Sequence, residues 1–268
     1  MTHLIVAHFQ SSNSAAQASA AQLLHAQTGG LLLKPSTLDV NGGDINKNAQ
    51  LMESENALED LYCTMMTSPR GGIIDVPHED RNAMIAFIQA RRPVLTELKT
   101  IIVSTSADTA SQQAAVETLA EIRAAGVAAS CIRILCTDTP ANAALEDVYP
   151  IVAEYAREAE ITLLPEATLP VSTSLAKAQQ FKMPIAAVLN RAVDFETELT
   201  AARLNGAPEK IMHGLAHKVI AQRNLLDTAD AFKRVAEALG LPCISQDEWR
   251  AEFAPAASRK RTRTTALD

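Results

Sequence analysis

The sequence predicts an α/β protein built on an open, mostly parallel twisted sheet with helices on both faces. Short apolar runs alternate with longer segments of helical periodicity from one end of the chain to the other, which is typical of a parallel sheet covered by helices. The chain of 268 residues is 47% hydrophobic and 21% charged, the balance of a globular protein that can bury a full-sized core. These observations exclude a disordered chain and favour one domain over two.

The predicted strands are short apolar runs bounded by turn-forming or polar residues. They are Leu4–Phe9, Leu31–Lys34, Gly71–Val76, Lys99–Ser104, Cys131–Thr137, Ile161–Pro165 and Ile185–Leu189. Ligands of open parallel sheets lie beyond the carboxyl ends of the strands, so the residues that end these runs are the candidate site residues.

The predicted helices lie between these strands and near the C-terminus. Helices are predicted at 15–27 and, as one polar helix, at 50–66. Apolar residues recur at helical spacing in segments 109–125 and 141–157, and again from Met212 to Val219 and from Leu226 to Leu239. Gly126 and Gly240 follow two of these segments, as expected where a helix ends.

Charge divides the chain into a predicted domain, residues 1–253, and a basic C-terminal tail, residues 254–268. The chain has a net charge of −7, but the tail holds four basic residues against one acid, namely Arg259, Lys260, Arg261 and Arg263. We expect the tail to be disordered and either to contact DNA, a membrane or an acidic partner, or to be merely solvated.

The sequence predicts a cytoplasmic location. It contains no run of about 20 apolar residues, and its first residues lack the features of a secretory signal. The cysteines Cys63, Cys131, Cys136 and Cys243 show no CxxC spacing, so buried thiols are expected in preference to disulfides or metal ligands.

The loop after the first strand is the place where many nucleotide-binding α/β proteins hold phosphate. Here it reads Ser11, Ser12, Asn13 and Ser14, with no glycine before Gly29 and no lysine before Lys34. The glycines and the lysine of an ordinary phosphate loop are therefore missing. Two interpretations stay open: these residues cap the next helix, or they bind a phosphate weakly through its N-terminus.

Asp75 is the strongest single candidate for a site residue. It ends an apolar run, at the position where Mg²⁺-nucleotide proteins place a carboxylate near the metal. Glu79 and Asp80 follow within a turn, either as further ligands or as acidic residues at the start of the next helix.

The order of these segments resembles the ParA/MinD branch of P-loop ATPases, and in particular the StbB-type plasmid stability proteins. The resemblance covers roughly residues 3–190. It is carried by HLIVAHF, LLLKPSTLDVNGGD, the Asp-x-Pro of Asp75 and Pro77, the helix ending in AAGVAASCIRIL, and the run from Leu169 to Ala178 followed by Met183-Pro184-Ile185.

The resemblance implies a P-loop NTPase-like fold, ATP and Mg²⁺ as cofactors, and a homodimer that works with a plasmid-encoded DNA-binding or transfer protein. Asp75, with Asp39 or Asp44, then matches the metal positions. Residues 11–14 stand at the place of the phosphate loop. Thr137 and Asp138 stand at the strand end where the base is bound. The missing glycines and lysines argue against hydrolysis, because the transferred phosphoryl group would lack its cations.

The expected function is a role in plasmid maintenance, partition or conjugative transfer through protein contacts, without catalysis or with weak nucleotide binding. The alternatives are a slow ATPase with a rebuilt phosphate site and a Rossmann-like enzyme for an unrelated small substrate, although no GxGxxG motif supports the last.

Overall fold

The computed structural model describes residues 3–35, 57–91 and 94–253. The candidate metal residues Asp39 and Asp44 lie outside these ranges, as does the whole tail, including Arg259, Lys260, Arg261 and Arg263. The tail and its contacts therefore stay predictions.

Within the described ranges the sheet has six strands in the order β2-β3-β1-β4-β5-β6, and each neighbouring pair is parallel. The predicted α/β fold with an open parallel sheet is confirmed. The strands are β1 (Leu4–Gln10), β2 (Leu31–Leu33), β3 (Gly71–Val76), β4 (Leu98–Ser106), β5 (Ile132–Thr139) and β6 (Thr168–Pro170).

Helices connect the strands and continue beyond the last of them. They are α1 (Ala15–Thr28), α2 (Ala57–Thr67), α3 (Arg81–Ala90), α4 (Val94–Glu97), α5 (Thr109–Ala124), α6 (Leu145–Val148), α7 (Pro150–Glu158), α8 (Thr173–Gln180), α9 (Ile185–Leu189), α10 (Phe195–Leu204), α11 (Glu209–Asp227), α12 (Ala229–Ala238) and α13 (Gln246–Phe253). None of the helices in the described ranges has the combined length and apolarity needed to cross a membrane.

Each face of the sheet carries its own hydrophobic core, because successive strand residues point to opposite faces. Val6 of β1 belongs to the core that includes residues of α1 and of α8 to α13. Ile5 and Ala7 belong to the core that includes residues of α2 to α7. The prediction of helices on both faces is thereby confirmed.

Two predicted strands are wrong. The run Ile161–Pro165 is irregular, and pairing with β5 begins only at Thr168, which lies opposite Cys136. Ile161 and Leu163 are apolar because they pack in one core, and Pro165 has no N–H to donate to a strand. Burial without pairing explains the apolar run.

The run Ile185–Leu189 forms helix α9 instead of a strand. Its residues are buried against α1, and the Ile185 backbone N–H donates to Gln22 Oε1 at 3.1 Å. A short apolar run that is buried on all sides has no periodicity to distinguish helix from strand.

The predicted helix 141–157 is divided into α6 and α7. Tyr149 takes a non-helical conformation between them, and Pro150 is the first residue of α7. A residue before proline is disfavoured in the helical region, so the chain breaks there and restarts.

All four cysteines are free thiols, as predicted. Their expected burial is correct only for Cys136, since Cys131 and Cys243 are half-buried and Cys63 is exposed. Burial raises the pKa of the Cys136 thiol to about 12, so this sulfur stays protonated.

Candidate functional site at the carboxyl edge of the sheet

The core under α1 changes from apolar to polar at the carboxyl ends of the strands. Val6, Ile73, Ile102 and Leu135 belong to this core. Two or four residues further along each strand, the same face of the sheet presents hydrophilic side chains, because the side-chain period of a strand is two. This polar layer consists of His8, Gln10, Lys34, Asp75, Ser104, Ser106 and Thr137.

Asp75 is the centre of one half of the polar layer. His8 of β1 lies beside it in register, and Lys34 follows Leu33 of β2, which pairs with Ile74 on its other side. Asp75 Oδ1 accepts hydrogen bonds from His8 Nδ1 at 3.0 Å and Gln10 Nε2 at 2.8 Å. Lys34 Nζ lies 3.2 Å from Asp75 Oδ2. Both carboxylate oxygens are therefore engaged.

The cluster holds Asp75 in its charged form. Burial raises the pKa of the carboxyl, but the hydrogen bond and charge of His8, the charge of Lys34 and the Gln10 hydrogen bond together outweigh burial. The pKa of Asp75 thus lies below its ordinary value of 3.8. A buried carboxylate that accepts several hydrogen bonds is a stable anion at neutral pH.

Gln17 of α1 is the centre of the other half. Its Oε1 accepts the backbone N–H groups of Ser11 at 2.9 Å and Ser12 at 3.0 Å. Its Nε2 donates to the hydroxyls of Ser106 at 2.8 Å and Ser111 at 3.1 Å. Gln17 is completely buried. One carboxamide thus joins the first loop to the ends of β4 and α5.

The residues proposed for phosphate binding are placed together, but each has a different environment. Ser14 is the N-cap of α1, and its hydroxyl accepts the Gln17 N–H at 3.1 Å. Asn13 is exposed, while Ser11 is buried and its hydroxyl lies 2.7 Å from that of Ser111. The capping interpretation is confirmed for Ser14.

Thr137 and Asp138 end β5 next to this loop. The Thr137 hydroxyl is buried and donates to the Thr105 carbonyl oxygen of the neighbouring strand β4 at 3.0 Å. Asp138 adopts a positive φ of 59°. Burial raises the pKa of the Asp138 carboxyl, Asp108 adds to this, and a hydrogen bond with Ser14 opposes it.

Glu79 and Asp80 belong to the start of a helix. They form a single 3-10 turn, His78–Asp80, which leads directly into α3. Among the described residues, no group of three or more His, Cys, Asp or Glu side chains is arranged to hold a metal ion.

As arranged, the described residues of this edge do not fit Mg²⁺ and a phosphate group. Mg²⁺ demands oxygen ligands in octahedral geometry, but the Asp75 oxygens already face His8, Gln10 and Lys34. A phosphate bound to the backbone N–H groups of Ser11 and Ser12 would have to displace the Gln17 carboxamide, which already accepts from both.

The sequence contained signals for the two residues that were missed. Ser14-x-x-Gln17 matches the capping-box pattern, in which the glutamine bonds back to the N–H of the N-cap residue; here Gln17 reaches further, to Ser11 and Ser12. Lys34 lies directly beyond β2, at the same strand end as the other candidates. Lys34 lies beside Asp75 because β2 pairs with β3. The order of the strands along the chain does not specify this pairing.

Comparison with models of known protein families gives no match for this chain, and comparison with curated proteins gives none.

Proposed function

We propose that this chain is a ParA/MinD-like protein, similar to StbB-type proteins, that acts in plasmid maintenance, partition or conjugative transfer through protein contacts and without ATP hydrolysis. The observation that carries this proposal is the position of the Gln17 carboxamide. It takes the two loop N–H groups that a phosphate would need, at 2.9 and 3.0 Å. These two N–H groups are therefore hydrogen-bonded without a nucleotide.

The sheet supports the comparison with this class of proteins. Its six parallel strands, with β3 beside β1 and an Asp near the end of β3, are consistent with a P-loop NTPase-like twisted sheet. Fold alone does not determine function, so the proposal combines this likeness with the chemistry of the carboxyl edge. That edge lacks the glycines and the lysine of a phosphate loop.

The proposed partners follow from the same resemblance. The chain would form a homodimer and bind a plasmid-encoded DNA-binding or transfer protein, with Arg259, Lys260, Arg261 and Arg263 adding a weak contact to DNA or lipid. Four positive charges give only weak and salt-sensitive attachment, so the protein partner would supply specificity.

Nucleotide titration tests the biochemical half of the proposal. Calorimetry of the wild type with ATP and Mg²⁺ should give no saturable heat at millimolar nucleotide, and light scattering should give the same mass with and without ATP. Saturable binding that is lost in Asp75→Ala and accompanied by dimer formation would instead establish the slow ATPase. A co-purified small molecule found by mass spectrometry would favour the Rossmann-like enzyme.

Plasmid retention tests the biological half. A low-copy plasmid carrying the gene should be lost faster without selection, or transferred less often, when the gene is disrupted, and the wild-type gene supplied elsewhere should restore the behaviour. Equal retention and equal transfer of the two plasmids would contradict the proposed role.

A further inference from the structure

We propose that the Lys34 ammonium is a built-in counter-ion for Asp75, which takes the place of a metal ion and makes this edge of the sheet independent of divalent cations. The inference rests on the proposed function, because it concerns the same edge. Its test uses no nucleotide and no protein partner, so its failure can be distinguished from failure of the proposed function.

The first support is the register of three adjacent strands. β2, β3 and β1 place Lys34, Asp75 and His8 at one level, since Leu33 pairs with Ile74 and His8 pairs with Asp75. The Asp75 carboxylate therefore has a basic side chain on each side. Backbone pairing places His8 and Asp75, and Lys34 follows directly on the last paired residue of β2.

The second support is the division of contacts between the two carboxylate oxygens. Oδ1 accepts from His8 and Gln10, while Oδ2 faces Lys34 Nζ at 3.2 Å. Oδ2 is the oxygen left for a cation, and the ammonium occupies that position. A divalent ion there would have to displace Lys34 or lie beside a positive charge.

The third support is the difference in burial. The Asp75 side chain is 1% exposed, whereas that of Lys34 is 28% exposed. A buried carboxylate without a partner costs several kcal/mol, so it requires a counter-ion from some source.

Removing the ammonium should therefore leave a buried carboxylate without its cation. We expect Lys34→Gln and Lys34→Ala to lower the Tm by about 5 °C. The wild type should bind no Mn²⁺ saturably, measured by electron paramagnetic resonance of free Mn²⁺, and saturating Mg²⁺ should leave its Tm unchanged. Lys210→Ala, which removes an exposed lysine of α11, is the matched control and should behave as the wild type.

A second substitution tests whether the charge of Asp75 is the cause. Adding Asp75→Asn to Lys34→Gln should recover most of the lost Tm, because a neutral amide needs no counter-ion. If the Lys34 variants do not fold, the double variant should fold. The inference is overturned by saturable Mn²⁺ binding to the wild type, by Lys34 variants that keep the wild-type Tm, or by a double variant that is no more stable than Lys34→Gln.

Discussion

His25 is a completely buried histidine near the C-terminal end of α1, enclosed by aromatic residues of α13. Its ring lies 5.7 Å from that of Trp249 and 5.0 Å from that of Phe253, edge to face in both pairs. Burial lowers the pKa of His25 from 6.5 to about 4, because the charged imidazolium would lose its hydration. Between these two pH values the unfolded chain binds a proton that the folded chain does not.

This difference predicts that the protein loses stability as the pH falls from 6.5 to about 4. The free energy of unfolding should fall by about 3 kcal/mol because of His25. This loss is complete below a pH of about 4 and absent above pH 6.5. Urea unfolding at a series of pH values, followed by the fluorescence of the single tryptophan, Trp249, would measure it.

His25→Leu is the control for this effect, because it keeps an apolar side chain against Trp249 and removes the titrating group. The loss of stability between pH 6.5 and about 4 should become smaller by about the same amount. An unchanged pH dependence in His25→Leu would assign it to other groups.

At the carboxyl edge, sequence position made Asp75 a candidate site residue but did not predict which side chains surround it. A carboxylate near the end of a buried strand suggests a metal ligand, and that expectation is reasonable without knowledge of its neighbours. The neighbours come from residues far away in sequence, His8 and Lys34, through strand order and register. Local patterns do not encode this pairing, and so the cation contributed by the chain itself was not predicted.

Strand β3 begins with a glycine that the sheet requires. Gly71 has a φ of +73°, and a Cβ atom there would lie 2.1 Å from the Leu4 carbonyl oxygen of β1. The two strands thus approach closely at their amino ends. A side chain would both strain the backbone of Gly71 and separate β3 from β1.

Gly71→Ala should therefore lower the free energy of unfolding by about 3 kcal/mol or more. Gly206→Ala is the matched control, since Gly206 has a φ of +65° but no surrounding atom within 4 Å of the place where a Cβ would lie, and it should cost about 1 kcal/mol. Urea denaturation of both variants would compare them. Equal losses would mean that the left-handed backbone alone, and not the contact with Leu4, explains the glycine.

The elements themselves were predicted best where periodicity was long. α5 was expected at 109–125 and is observed at Thr109–Ala124, because its apolar positions recur over four turns and Gly126 follows. The sixth strand was predicted at 161–165, whereas β6 is Thr168–Pro170. A strand of three residues has no resolvable period, so only pairing with β5 defines it.

On the scale of the whole molecule, the polar layer and helix α13, which precedes the tail, lie at opposite ends of the strands. Asp75 and Gln17 lie at the carboxyl edge, whereas α13, which precedes the tail, lies near the amino ends of β1 and β3. Arg70, just before β3, forms ion pairs with two residues of α13, Glu248 at 3.6 Å and Glu252 at 2.8 Å. A contact made by the tail therefore begins far from the polar layer.

This separation predicts that a chain ending at Phe253 keeps its fold and its carboxyl edge. Its Tm should be unchanged, because Trp249 and the Arg70 ion pairs remain. Any binding to DNA or acidic lipid vesicles should be lost, and for the full chain the slope of log K against log salt should be no steeper than about −4. Fluorescence anisotropy with labelled DNA, and vesicle sedimentation, would measure this. A full-length variant with Arg259, Lys260, Arg261 and Arg263 replaced by Gln controls for tail length; binding that survives in it would assign the contact to another surface.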